Sequence, residues 1–158
     1  MGLDAFVSCT CIPEGKAKPH PIPGRLTFDE SGEPRLTGDP SEQEWEAHGQ
    51  WMGESCEHEG CLLSMFLGNI TKVGNLRSFL RGLQGSPGPR CPILLEKVLY
   101  DGTHTGDWIS SKDAAKLLKE ASTVLHSSDI LVDSEKEFFT TTKLLCEASI
   151  ATGNPIMF

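Results

Sequence analysis

Of the 158 residues in this chain, no run comes near the roughly 20 consecutive apolar residues that a membrane-spanning helix requires, which argues against a membrane partner or anchor of that kind. Residues 1 to 8 alternate in polarity and lack the basic start and small-residue cleavage site of a secretory leader. Met1-Gly2 opens like a myristoylation signal, yet Phe6 stands where that pattern wants Ser or Thr. The chain also has no Walker loop, no G-x-G-x-x-G after a strand, no H-E-x-x-H and no G-x-S-x-G, so the common nucleotide-binding and hydrolase signatures are missing. Between Asp39 and Glu59 there is no Lys or Arg. Seven carboxylates stand there instead, at Asp39, Glu42, Glu44, Glu46, Glu54, Glu57 and Glu59.

That imbalance carries the net charge. Residues 1 to 60 hold 12 acids and 4 bases, whereas residues 61 to 158 hold 10 of each, so the formal −8 of the chain lies entirely in its first part. Such a field repels phosphate backbones and anionic membranes, which speaks against nucleic acid and favours a basic protein, a cationic ligand or a metal. A solvated helix face that aids solubility is the plainer alternative. Six cysteines with no leader fit a cytoplasmic protein with reduced thiols, in which Asn69-Ile70-Thr71 is not a meaningful glycosylation sequon.

The length suits one globular domain, residues 1 to 158. It buries about two thirds of its unfolded surface and needs neither metal nor disulfide to hold its core. Leu3 to Cys11 alternates with period two and predicts a first strand, with Cys9 and Cys11 on one face. Pro13 to Gly24 is a loop. Arg25 to Asp29 and Glu33 to Thr37 flank Ser31-Gly32 as a hairpin, with Pro34 marking an edge.

Asp39-Pro40-Ser41-Glu42 predicts a helix capped by Asp39, with Glu42 closing a capping box and Trp45, His48 and Met52 on one side. Cys61 to Leu67 reads as a buried apolar segment. The spacing of Ile70, Val73, Leu76, Phe79, Leu80 and Leu83 predicts an amphipathic helix with Arg77 and Arg81 outside.

Gln84 to Arg90 reads as a loop, and Pro92 to Tyr100 as a short buried helix. Further helices start at Ser110 and Ser134; the second turns Phe138, Phe139, Leu145 and Cys146 inward, stops at Gly153, and is followed by a short apolar end that forms a terminal strand or a plug against the first strand. Short early strands and late helices make this an α+β fold with four or five helices.

Two stretches are dense in chemistry. Cys56-x-His58-x-x-Cys61 offers two thiolates and an imidazole, and Cys9 or Cys11 can complete a tetrahedral zinc site. C-x-C is a less natural arm than C-x-x-C, however, and buried thiols with a surface histidine are the alternative. The second stretch runs from Tyr100 to Trp108. There His104 can act as a base oriented by Asp107, or both can simply brace a glycine-punctuated loop.

The chain resembles a family of small bacterial proteins of uncharacterised activity. The resemblance rests on the Met-Gly-Leu-Asp start, Cys56-Glu57-His58-Glu59, Lys97-Val98-Leu99-Tyr100-x-Gly102-Thr103-His104-x-Gly106-Asp107, and the closing Asn154-Pro155-Ile156-x-Phe158. It implies that Cys56, His58, His104 and Asp107 share one functional surface, and it brings no activity. Two readings follow. The first is a non-enzymatic acidic binding protein of the immunity or antitoxin kind that engages a basic partner. The second is a metal- or thiol-dependent hydrolase using Cys56, His58, His104 and Asp107.

Overall fold

The computed structural model describes residues 2–84, 90–127 and 131–158. The fold is α+β. Strand β1 (Gly2–Ser8) is followed by a hairpin of β2 (Leu26–Phe28) and β3 (Pro34–Leu36), helix α1 (Glu42–Glu54), strand β4 (Cys61–Asn69) and helix α2 (Ile70–Gln84). A π-helical turn (Leu94–Val98) leads to β5 (Trp108–Ile109), α3 (Ser111–Ser127), α4 (Asp133–Thr152) and β6 (Ile156–Met157). The loop expected between Gln84 and Arg90 lies largely outside the described residues. Among the described residues no helix is long and apolar enough to cross a membrane.

The main sheet runs β4-β1-β6-β5 with every pairing antiparallel. One face of β1 is the alternating set Leu3, Ala5 and Val7, all buried, and helix α4 packs on it with α3 on its far side. Phe138 and Phe139 meet edge to face at 5.2 Å in the middle of this layer, together with Leu67, Leu76, Leu80, Leu117 and Leu145. The inward set expected on the last helix is therefore the observed one.

Gly153, at φ 77°, stops that helix by donating to the Ser149 carbonyl at 2.9 Å. A left-handed residue here costs glycine no Cβ clash. Asn154 then ties the end of the helix to the sheet, its amide nitrogen reaching the carbonyls of Ser8 (2.8 Å) and Cys9 (3.1 Å).

Several boundaries differ from the sequence reading, each for a local reason. The cap of α1 is Ser41 rather than Asp39: its hydroxyl accepts from the Glu44 amide at 3.3 Å while the Glu44 carboxylate accepts from the Ser41 amide at 2.8 Å. This capping box sits two residues later than expected, and Arg25 holds its acid at 2.9 Å. Cys61–Asn69 is a full strand rather than an undefined apolar run, because it pairs with β1 along its length.

Strand β1 ends at Ser8, short of Cys9 and Cys11. Arg77 does not point outward either. Its side chain is 13% exposed, with Nε donating to the Leu99 carbonyl. The π-helical turn borrows its N-terminal cap from α3, where the Glu120 carboxylate accepts from the amides of Ile93 (3.1 Å) and Leu94 (2.9 Å).

Between β1 and β4, neighbours in the sheet, the chain makes one long excursion, residues 9–60, that forms a lobe of its own. None of its residues belongs to the main core cluster. Its interior is instead a small group of rings: His20 lies 4.6 Å from Trp51 and 5.3 Å from His48, with Leu36 beside them among the buried residues. His20 accepts the Ile22 amide at Nδ1, which leaves Nε2–H to donate to His48 Nδ1 at 3.0 Å. The indole N–H of Trp51 donates to the Lys18 carbonyl at 2.8 Å.

Candidate metal centre

The chain leaves the main sheet at Cys9 and returns to it at Cys61, so the residues on either side of these points form the neck of the lobe. After Ser8 the outgoing arm turns at once. The amides of Lys16 and Ala17 both donate to the Cys11 carbonyl (2.8 and 3.1 Å), and the Gly15 amide donates to Ile12 (3.1 Å). This turn brings Cys11 round beside Cys9, which an extended C-x-C could not do.

The returning arm is two overlapping turns, Glu59 N–H to the Cys56 carbonyl at 3.0 Å and Cys61 N–H to the His58 carbonyl at 2.8 Å. They require left-handed backbone at Glu59 (φ 52°) and Gly60 (φ 77°). The arms are fastened together by Cys9 N–H to the Gly60 carbonyl (3.1 Å) and Lys18 N–H to the Ser55 carbonyl (2.7 Å).

The result is a convergence of Cys9, Cys11, Cys56 and His58. Their ligand atoms all lie within 4.8 Å of one another, a group that can hold a metal ion. Cys9 Sγ is 3.6 Å from Cys56 Sγ, and Cys11 Sγ is 3.3 Å from His58 Nδ1. Bond lengths of about 2.3 Å to sulfur and 2.0 Å to nitrogen place neighbouring ligands of a tetrahedral ion about 3.5–3.8 Å apart, close to both separations. Cys9 is buried, Cys11 and Cys56 are half-buried and His58 is exposed, so the group lies at the surface of the neck. Cys9, Cys11, Cys56 and Cys61 are free thiols.

The three clustered thiols are not alike. Burial works to raise the Cys56 thiol, but the amides of Gly60 and His58 and the neighbouring Cys9 and Cys11 prevail and bring it down to about 6. Cys11 is pushed up to about 11, first by burial and then by the thiols of Cys9 and Cys56 and their negative charge. A negative charge is thus favoured on Cys56 and resisted on Cys11. A cation in the middle removes that resistance. Elsewhere burial pushes Cys91 up to about 11 and Cys146 up to about 12, which marks them as inert core thiols.

The other site residues expected from the sequence fall outside this group. Cys61 is the first residue of β4, where pairing with Ser8 fixes its direction, and its Sγ lies 3.9 Å from the Val7 carbonyl. His104 sits near the opposite end of β1, lining one cleft with Gly2, Leu3, Asp4 and Phe158, and Asp107 lies beside Phe158, whose amide donates to its carbonyl at 3.0 Å. At about 3.3 Å per residue, β1 separates the two places by roughly 20 Å. Cys56, His58, His104 and Asp107 therefore do not share one surface.

Asp107 does not orient His104: its carboxylate accepts from the Tyr100 hydroxyl, and its amide donates to the His104 carbonyl at 2.9 Å. The His104 ring lies against Tyr100 (4.3 Å) and Phe158 (5.7 Å), and its buried Nε2 has no hydrogen-bond partner. Tyr100 belongs to the stretch already singled out, whereas Arg77 comes to the same cleft through the tertiary fold and has no local signal. Compared with protein-family models, curated proteins and solved structures, the chain matches none.

Proposed function

We propose that this is a zinc-clasped binding protein: a Cys3His zinc site at the neck holds an acidic lobe that engages a basic protein partner. The observation that supports it most is the convergence of Cys9, Cys11, Cys56 and His58 within 4.8 Å at the two ends of one excursion. Three thiolates and one imidazole are a donor set suited to zinc, and four protein ligands make a closed, structural site. Bound there, the metal supplies cross-linking rather than chemistry.

Closing a loop of this length is where a clip has most entropy to remove from the unfolded chain. It is also where the clip is most needed, since no residue of the lobe joins the main core. Free thiols suit a reducing compartment such as the cytoplasm.

The partner follows from charge. The lobe carries eleven acids against four bases, and Glu42, Glu46, Glu54, Glu57 and Glu59 are exposed. Steering by such a face speeds capture of a cationic surface and weakens with salt. The hydrolase reading finds less support, because one substrate bond cannot reach Cys56 and His104 across the length of β1.

Elemental analysis of protein purified without chelator tests the metal, with one zinc per chain expected. Cobalt substitution should give the visible spectrum of a tetrahedral thiolate site and lose it in Cys56→Ser. Metal-free protein that stays metal-free on adding zinc would overturn the clasp. A lysine-rich polypeptide tests the face: its binding should fall steeply with salt and vanish in a Glu42→Gln, Glu46→Gln, Glu57→Gln variant. Glu44 is left alone because it caps α1. Salt-insensitive binding would remove the acidic-face reading.

A further inference from the structure

At the end of β1 away from the metal cluster, the loop from Tyr100 to Thr105 closes over the start of α2 and leaves a cleft of about 290 Å³. This is the lower end of the size that small-molecule sites take. Its walls are apolar and aromatic: Leu3, Ile70 and Val73 on one side, Tyr100 and Phe158 on the other. Ile70 is 68% exposed, a large apolar side chain left to water at the mouth.

Two polar groups in this lining are incompletely matched. Buried His104 Nε2 has no partner, whereas buried polar atoms almost always have one. Arg77 is largely buried, yet among the described residues its only anionic partner is Asp101, at 3.3 Å and with a side chain 90% exposed. A guanidinium that spends one N–H on the Leu99 carbonyl and meets only a solvated carboxylate has donors to spare for a better-shielded acid.

We propose that this cleft binds a small carboxylate with an aromatic or branched apolar body. The carboxylate takes the Arg77 guanidinium in place of Asp101, and the apolar body lies between Ile70 and the rings of Tyr100 and Phe158. A polar edge of the ligand beside His104 gives Nε2 the partner it lacks. Asp101 then occupies the anion position in the free protein and competes with the ligand. Asp4, at the rim of the same cleft, is a second acid that any ligand carboxylate must avoid, so the site favours a single anionic group placed deep, at Arg77. The inference stands apart from the zinc clasp and survives its failure.

Phenylacetate and its neutral analogue phenylacetamide are the probes, followed by amide NMR shifts on the full chain. Phenylacetate should move the amides of residues 70–77 and 100–105 saturably, with phenylacetamide about tenfold weaker, the worth of one charge-assisted hydrogen bond. Arg77→Gln should weaken phenylacetate by about the same factor. Asp101→Asn, on an exposed side chain whose loss leaves the fold intact, should tighten it severalfold by removing the competitor. Any of three results overturns the proposal: no saturable shift at these amides, equal binding of acid and amide, or unchanged or weaker binding in Asp101→Asn.

Discussion

The lobe (residues 9–60) and the body that carries it solve the same problem by opposite means. The body buries one continuous apolar cluster, from Leu3 and Val7 through Leu76 and Leu80 to Phe138, Phe139 and Ile156. The lobe buries Leu36 and Trp51 beside His20, Ser31, His48 and Ser55, so much of its interior is polar and needs hydrogen bonds to stay there. At roughly 25 cal/mol per Å² of apolar area, the body gains far more from burial than the lobe does. The proposed zinc at its neck would add a cross-link there. What the contrast teaches is that a large continuous core in one part of a chain leaves another part to depend on local polar contacts.

The sharpest way to break the comparison is to take the metal away. Apparent binding free energies of structural zinc reach about 10–16 kcal/mol, and in a region with so small a core much of that is folding free energy. Chelation, or Cys56→Ser, should open the amides of α1 and the hairpin to hydrogen exchange while those of α3 and α4 keep their protection. Simultaneous loss in both regions would show that they are one cooperative unit. The converse experiment strikes the body. Phe139→Ala removes a fully buried ring and should cost about 3–5 kcal/mol, read as a lower unfolding midpoint for α3 and α4.

The smallest expected effect is on pH. Burial, then the neighbouring His20, holds His48 below its ordinary value of 6.5 against the opposing pull of the Pro34 carbonyl, with Arg35 adding to the lowering. The unfolded chain therefore takes up a proton near 6.5 that the folded lobe refuses. Stability from this ring is complete above 6.5 and is lost as pH falls below it. Trp51 fluorescence in a Trp45→Phe, Trp108→Phe background should report that loss, and His48→Gln should flatten the slope in metal-free protein. An unchanged slope in His48→Gln would sink the account.

How much of this could be read in the residues depends on range. The helices at 70–84 and 133–152, the hairpin and the terminal strand against β1 all follow from local periodicity and turn chemistry, and they were legible. So was the composition of the centre: Cys9, Cys11, Cys56 and His58 stood out as soft ligands. The fourfold grouping was not, because it depends on the strand stopping at Ser8 and on the turn that carries Cys11 back, and an alternating pattern through Cys11 argues the other way. Cys61 looked like a ligand by spacing alone. Strand pairing, which no local rule supplies, turns it aside. His104 and Tyr100 stood out in one stretch, but Phe158 and Arg77, which line the same cleft, come from two other parts of the chain.

The sheet order has one more consequence, for synthesis. Strand β6 lies inside the sheet, between β1 and β5, although it is made last of the four. At about 5–20 residues per second, the ribosome needs roughly 5–20 s after completing β4 to deliver Ile156 and Met157. Until then β1 has an open edge on one side. All four candidate ligands of the neck have been made by residue 58, however, so the clasp proposed above would be available to a nascent chain while the body that will carry the lobe still waits for its middle strand.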